Sequence, residues 1–200
     1  MLNRMTAAIL LAAGESSRMG QPKQLLDWQG RTLVAAQVET LLEAQCSPVI
    51  VVLGAHGNRV RRSIPGRADV QLTTNHQWRG GRASSIRAGA RAVPSEVDAV
   101  AVVSVDQPTR AAVVTRLAKE LSVSTDALIA VPRHEGRNGH PPVFRAELLP
   151  ELRNVTERQE GLRQIRRRHA DRTIFLEMND PFVTLNLNTR EAYRRAIGLL

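Results

Sequence analysis

Short runs that are apolar on both parities recur along the chain, and they constrain its fold more than any other feature. "AAILLAAG" (7–14), "PVIVVLG" (48–54), "AVAVVSVD" (99–106) and "ALIAVPR" (127–133) lack the polar–apolar alternation of a strand with one wet face. A strand built this way is covered on both sides, as in a parallel sheet sandwiched by helices. The segments between the runs have helical spacing. Leu33, Val34, Val38, Leu41 and Leu42 fall on one side of a helix predicted over 31–45. Further helices are predicted at 56–64, 83–93 and 109–121, and a further strand at 70–75. The expected class is α/β, a three-layer, mostly parallel sheet.

The last third is less regular. "PPVFR" (141–145), "TIFLEM" (173–178) and "FVTLNLN" (182–188) read as strands. "AELLPEL" (146–152), "EGLRQIRRRHA" (160–170) and "TREAYRRAIGLL" (189–200) read as helices. No repeat, linker or low-complexity tract divides the chain, so a single domain over 1–200 is expected. With 42% hydrophobic and only 3% aromatic residues, Val, Leu, Ile and Ala must build the core. No apolar run approaches the ~20 residues of a membrane span, and the expected location is cytoplasmic. The lone Cys46 excludes an internal disulfide and any multi-cysteine metal site; a small buried filler is expected there.

The formal charge is +9, which favours anionic partners. Nucleic acid is not expected, because the arginines are spread over many segments and Tyr193 is the sole tyrosine. The loop after the first strand is the first candidate for anion binding. In open α/β sheets ligands bind beyond the carboxyl ends of the strands. That loop runs "GESSRMGQPK" from Gly14 to Lys23. It fails both G-x-G-x-x-G and the P-loop pattern G-x-x-x-x-G-K-[ST]. Even so, Gly14 and Gly20 let amide groups converge on an anion, Arg18 offers a planar fork, and Lys23 a mobile point charge. On these residues alone a solvated strand-to-helix turn fits as well.

"LAAGESSRMGQPK" resembles the signature L-A-[AG]-G-x-[SG]-x-R-[MF]-G-x-x-K of the MobA-like NTP transferases. These include molybdenum cofactor cytidylyltransferases, within the nucleotide-diphospho-sugar transferase superfamily. Four later segments continue the likeness in order: "NHQWRGGRASSIRAG" (75–89), "VSVDQP" (103–108), "RNGHPPVF" (137–144) and "LNLNTREAY" (185–193). The resemblance implies a Rossmann-like sheet of the nucleotide-diphospho-sugar transferase type. It also implies a Mg²⁺-dependent nucleotidyl transfer in which an acceptor phosphate attacks the α-phosphorus of a nucleoside triphosphate and pyrophosphate leaves.

Asp106 ends an apolar strand, where an unpaired carboxylate would be costly, so it needs a cation or a donor. By itself it could cap the next helix, with Pro108 in an early helical position. Asn188 could likewise cap the helix that follows it. The resemblance implies instead that Asp106 and Asn188 are the metal ligands, a donor set suited to magnesium, which keeps several waters. It implies Leu11, Ala12, Ala13, Gly14, Arg18, Lys23, Asn75, Ser84, Ser85 and Asp106 as nucleotide contacts, with Lys23, Arg18 and Asp106 carrying catalysis. Ser84 and Ser85 would serve equally as helix caps. Guanine-specific relatives resemble "LAGG", and the methyl of Ala13 would narrow the space beside the base, favouring CTP over GTP.

On the acceptor side, His140 and Arg163 match the family pattern, which implies a molybdopterin-type substrate. Relatives resemble "GDxGAR" where this chain reads Gln159-Glu160-Gly161-Leu162-Arg163. The leading glycine is missing and the acid is Glu, which leaves other phosphorylated acceptors open. A molybdenum hydroxylase or its chaperone is the expected protein partner. An NAD(P)-dependent oxidoreductase is the competing enzyme class, and the failed G-x-G-x-x-G argues against it.

Overall fold

A computed structural model describes residues 5–16 and 20–199. Its strands are β1 (Thr6–Ala12), β2 (Asp27–Trp28), β3 (Arg31–Thr32), β4 (Cys46–Leu53), β5 (Val70–Thr74), β6 (Ala99–Ser104), β7 (Ile129–His134), β8 (Arg137–Asn138), β9 (Val143–Arg145) and β10 (Thr173–Glu177). The helices are α1 (Leu33–Glu43), α2 (Gly57–Ser63), α3 (Arg82–Ala92), α4 (Ala111–Val123), α5 (Leu149–Leu152), α6 (Leu162–Arg168) and α7 (Arg190–Ile197). One eight-stranded sheet runs β10-β7-β9-β6-β1-β4-β5, with β8 paired to β7. The pairs β1–β4, β1–β6, β4–β5 and β7–β10 are parallel, whereas β9 lies antiparallel between β6 and β7. The sheet is thus mostly parallel and Rossmann-like.

The doubly apolar strands divide their residues between two cores. Ala8, Leu10 and Ala12 of β1 join Val49, Val51, Ala101 and Val103 on one face. Ala7, Ile9 and Leu11 join Ile50, Val52, Val100 and Val102 on the other. Helices α1 and α4 cover the first face through Leu33, Val38, Leu41, Val114 and Leu117. Helices α3, α5 and α6 cover the second through Ile86, Ala90, Leu152 and Ile165. Ile9, Leu10, Leu41 and Leu117 are completely buried, each worth ~1.5–3 kcal/mol of transfer free energy. Gly89 lets α3 sit close on the sheet: a Cβ there would meet Ile9 Cγ2 at 2.3 Å.

Local chemistry sets the helix starts. Thr32 caps α1 by accepting from the Ala35 amide, and Thr189 caps α7 by accepting from the Ala192 amide at 3.1 Å. Helix α4 begins at Ala111 after Arg110, well past Asp106. Neither Asp106 nor Asn188 is therefore a helix cap, and both side chains are left for other work. Helix α3 begins at Arg82, so Ser84 and Ser85 lie within its first turns.

One expected strand does not form. Over 182–188 the chain instead makes a 3-10 turn at Pro181–Thr184, started by Asp180, whose carboxylate accepts from the Phe182 amide at 3.0 Å. Its backbone then pairs with loops: His140 N donates to Val183 O and Leu187 N to Asp106 O, both at 2.7 Å. The β2–β3 hairpin was not anticipated; the Tyr193 hydroxyl donates to Asp27 O at 2.5 Å and ties α7 to it. Cys46 is the first residue of β4 and is buried, which pushes its thiol up to about 12. Among the described residues no helix is long and apolar enough to cross a membrane.

Candidate active site

The parallel register brings the ends of β1, β4, β5 and β6 to one edge, since Leu11 pairs with Ser104, Ala12 with Leu53, and Leu53 with Thr74. A cavity of about 480 Å³ opens there. Of the residues singled out from sequence, Leu11, Ala13, Gly14, Lys23, Ser85, Asp106 and Asn188 line it. Arg18 lies outside the described residues. Ala12 does not line the cavity, because β1 alternation turns its methyl into the opposite core.

The chain leaving β1 at 13–16 is shaped by a residue that periodicity did not reveal. Gln24 is 1% exposed, and its amide donates to Ala12 O at 2.9 Å and to Gly14 O at 2.7 Å. Two carbonyls that would otherwise point into a dry corner are satisfied, which fixes the strand exit. Ser16 adds a second tie by accepting from the Lys23 amide at 3.0 Å. His56 Nε2 meets Glu15 O at 3.0 Å. From behind, Gly54 approaches so closely that a Cβ would lie 2.4 Å from Ala13 O. A buried Gln37 donates to Val105 O at 2.7 Å and braces the other side of the cavity.

The ammonium of Lys23 is the point of convergence. It lies 3.2 Å from Asp106 Oδ2 and 2.7 Å from Asn188 Oδ1. Two oxygens remote in sequence therefore meet on one cation. The Leu187 amide bond to Asp106 O locks the two ligand segments together. Among the described residues no cluster of three or more His, Cys, Asp or Glu could hold a metal. A carboxylate and an amide carbonyl that share one cation do fit a hard divalent ion that keeps waters or phosphate oxygens in its shell.

Among the cavity residues that were missed are Trp78, Arg79 and Arg82. The signal was "WRGGR", in which Gly81 has φ +90° and turns the chain into α3. Arg79 stacks over Trp78 at 4.4 Å. Arg82 lines both this cavity and a neighbouring pocket of about 340 Å³ shared with Glu157 and Arg163. Desolvation lowers the Arg82 pKa, while Asp106 and Glu157 support its charge and Arg163 opposes it.

Asn75, Ser84 and Ser85 form one buried unit. The Asn75 amide donates to Ser84 Oγ at 2.8 Å and to Ser85 Oγ at 3.0 Å, and its carbonyl accepts from the Gln77 amide. Asn75 and Ser84 stand behind the wall, and Ser85 is the member that reaches the cavity. Arg163 sits on the wall of the neighbouring pocket. His140 lines none of these spaces. Its Nε2 donates to Leu185 O at 2.6 Å, and burial pushes its pKa down to about 4. Gly139 leaves room for Val183 O, which a Cβ would meet at 2.3 Å. The Gly139-His140 pair thus holds the segment that delivers Asn188. An acceptor contact was expected of His140; in this structure its ring is bonded to Leu185 O.

Comparison with known proteins identifies the family. The chain is 30% identical to a nicotine blue oxidoreductase of Paenarthrobacter nicotinovorans, over 94% of this chain and 95% of that protein. It is 31% identical to the molybdenum cofactor cytidylyltransferase of Escherichia coli K12, over 77% and 79%. A nucleotidyl transferase from Methanothermobacter superposes with a TM-score of 0.82 at 25% identity, covering 98% of this chain and 97% of that one. A Mycobacterium tuberculosis H37Rv protein solved in complex with manganese does so at 0.74 and 25%, covering 98% of both. The model of the MobA-like NTP transferase domain matches residues 8–173, and the chain, with its cation-gathering cavity at the end of β1 and β6, belongs to that family of nucleotidyltransferases.

Proposed function

We propose that this chain is a cytoplasmic, Mg²⁺-dependent cytidylyltransferase that moves CMP from CTP onto the phosphate of a molybdopterin-type acceptor. The observation that carries this reading is the meeting of Asp106 Oδ2 and Asn188 Oδ1 on the Lys23 ammonium inside the cavity. A divalent ion held by those oxygens would neutralise triphosphate charge. Lys23, displaced toward the α-phosphate, and Arg18 offer positive charge to the phosphate oxygens as the acceptor oxygen bonds to the α-phosphorus and pyrophosphate departs. Phosphoryl chemistry of this kind depends on positioning and on stabilising charge as it develops, so no nucleophilic side chain is required.

Base choice is assigned to Ala13, which lines the cavity and packs both its backbone and its methyl against Gly54. Ser85, backed by Asn75 and Ser84, supplies a hydroxyl to the nucleoside. The acceptor enters from the Arg82–Arg163 side, and a molybdenum hydroxylase or its chaperone would receive the product. The decisive experiment incubates the protein with each nucleoside triphosphate, Mg²⁺ and molybdopterin while pyrophosphate is measured. Release with CTP and acceptor together is expected; none with any pairing overturns the reading.

The relative named nicotine blue oxidoreductase, similar over 94% of this chain, favours a second reading, hydride transfer from a nicotinamide cofactor to a flat substrate. Loss of nicotinamide absorbance upon mixing with a quinonoid dye would establish it.

A further inference from the structure

Beyond the neighbouring pocket, α6 forms one wall of a second groove of about 610 Å³, lined by Asn138, Arg163, Arg166, Arg167 and Phe175 among others. Arg167 is neutralised by Glu160 at 2.9 Å. No carboxylate among the described residues lies within ion-pair distance of Arg163, Arg166 or the adjoining Arg133. Arg133 is held in place: its guanidinium stacks on Phe175 at 3.9 Å, and its Nε donates to Asn138 Oδ1 at 2.8 Å. Arg166 has its Nε fully enclosed with no hydrogen-bond partner. Burial, then Arg163 and Arg133, pull its pKa below the ordinary arginine value.

Each of these features costs stability in the empty protein. An enclosed N–H without an acceptor is unfavourable, and neighbouring guanidinium groups repel. One ligand chemistry relieves the crowding of positive charge, a compact oxyanion with several acceptor oxygens, for which arginine forks are the matching donors. We propose that the groove lined by Arg163 and Arg166, with Arg133 packed beside it on Phe175 and Asn138, is a second anion site, separate from the triphosphate cavity, that takes a phosphate-type group. Arg163 lines both this groove and the pocket shared with Arg82, so the anion could be the far end of the second substrate or a free ligand.

The test is calorimetric titration of the full chain with inorganic phosphate, with CTP and Mg²⁺ already filling the first cavity. Binding is expected in the wild type, with at least tenfold weakening in Arg166→Met and in Arg133→Met, and CTP affinity unchanged. The Glu160-paired Arg167→Met should weaken it no more than threefold. Equal phosphate affinity in Arg133→Met, the variant further from the packed core, or an equal loss in Arg167→Met, would overturn the site. A second arm separates the sources: phosphate competing with the acceptor in the pyrophosphate assay assigns the groove to the substrate, and non-competitive inhibition assigns it to a free ligand. Because the titration needs no turnover, it stands even if the transfer reaction fails.

Discussion

The Lys23 ammonium lies 2.7 Å from the side-chain oxygen of Asn188, a residue 165 positions further along the chain. With Asp106 3.2 Å away on its other side, Lys23 occupies the place where a cation would be bound by both. The three side chains form a closed unit in which one positive charge satisfies two oxygens.

That unit predicts ordered binding. On the proposed function, a metal and the lysine would compete for the same oxygens until triphosphate drew the lysine away. Lys23→Met should therefore bind Mn²⁺ without nucleotide about tenfold more tightly than the wild type, as read by electron paramagnetic resonance. Its turnover should fall more than tenfold, a loss of over about 1.4 kcal/mol of transition-state stabilisation. Equal Mn²⁺ affinities would show that the lysine is no placeholder.

Asp106→Asn keeps the shape and removes the charge. Its carboxylate is 29% exposed, and a partly wet ion pair is worth ~1 kcal/mol or less, so the melting temperature should move by only a few degrees. Transfer activity should drop by at least a hundredfold, with metal affinity falling in parallel. A variant with normal turnover would remove Asp106 from the metal site.

Much of this was legible in the chain, for identifiable reasons. Burial on both faces left Ala8 and Leu10 as apolar as Ile9 and Leu11, so the core strands could be read directly. Asp106 stood out because a charge at the end of a buried strand lacks a packing role, and Lys23 because it follows a glycine-bounded loop; Asn188 was singled out by the family resemblance alone. Gln24, Gln37 and Arg82 did not, because a buried glutamine acts through carbonyls that only the folded loop brings near. Over 182–188 the alternation of Val183, Leu185 and Leu187 imitates a strand; loop carbonyls and amides take its hydrogen bonds instead.

Gln24→Ala tests the loop brace. It strands the carbonyls of Ala12 and Gly14 without donors, at a cost of ~1–3 kcal/mol. The nucleotide KM should rise several-fold, since the same carbonyls set the course of the loop beside Gly14. Urea unfolding and nucleotide titration check the two effects separately, and an unchanged midpoint would mean that water replaces the amide.

Ala13→Gly tests base selection. Removing the methyl that packs on Gly54 lets this stretch of the cavity lining relax and should raise GTP use relative to CTP. A change in the ratio of kcat/KM values of at least threefold is expected from competition between the two triphosphates. An unaltered ratio would place base recognition elsewhere in the wall.

His140 couples stability to acidity. Its folded-state pKa of about 4 lies below the ordinary histidine value of 6.5, because burial disfavours the charged ring. Between those values the unfolded chain binds more protons than the folded one, so stability is full above pH 6.5 and declines as pH falls toward 4. The depression amounts to about 3 kcal/mol across the window, at 1.36 kcal/mol per unit. In His140→Gln the side-chain amide can still donate to Leu185 O but cannot gain a proton. Its unfolding free energy, measured by urea titration from pH 7 to 4, should therefore decline less steeply than the wild type's. Parallel curves would show that the ring is solvated, and that the segment leading to Asn188 is held by backbone bonds alone.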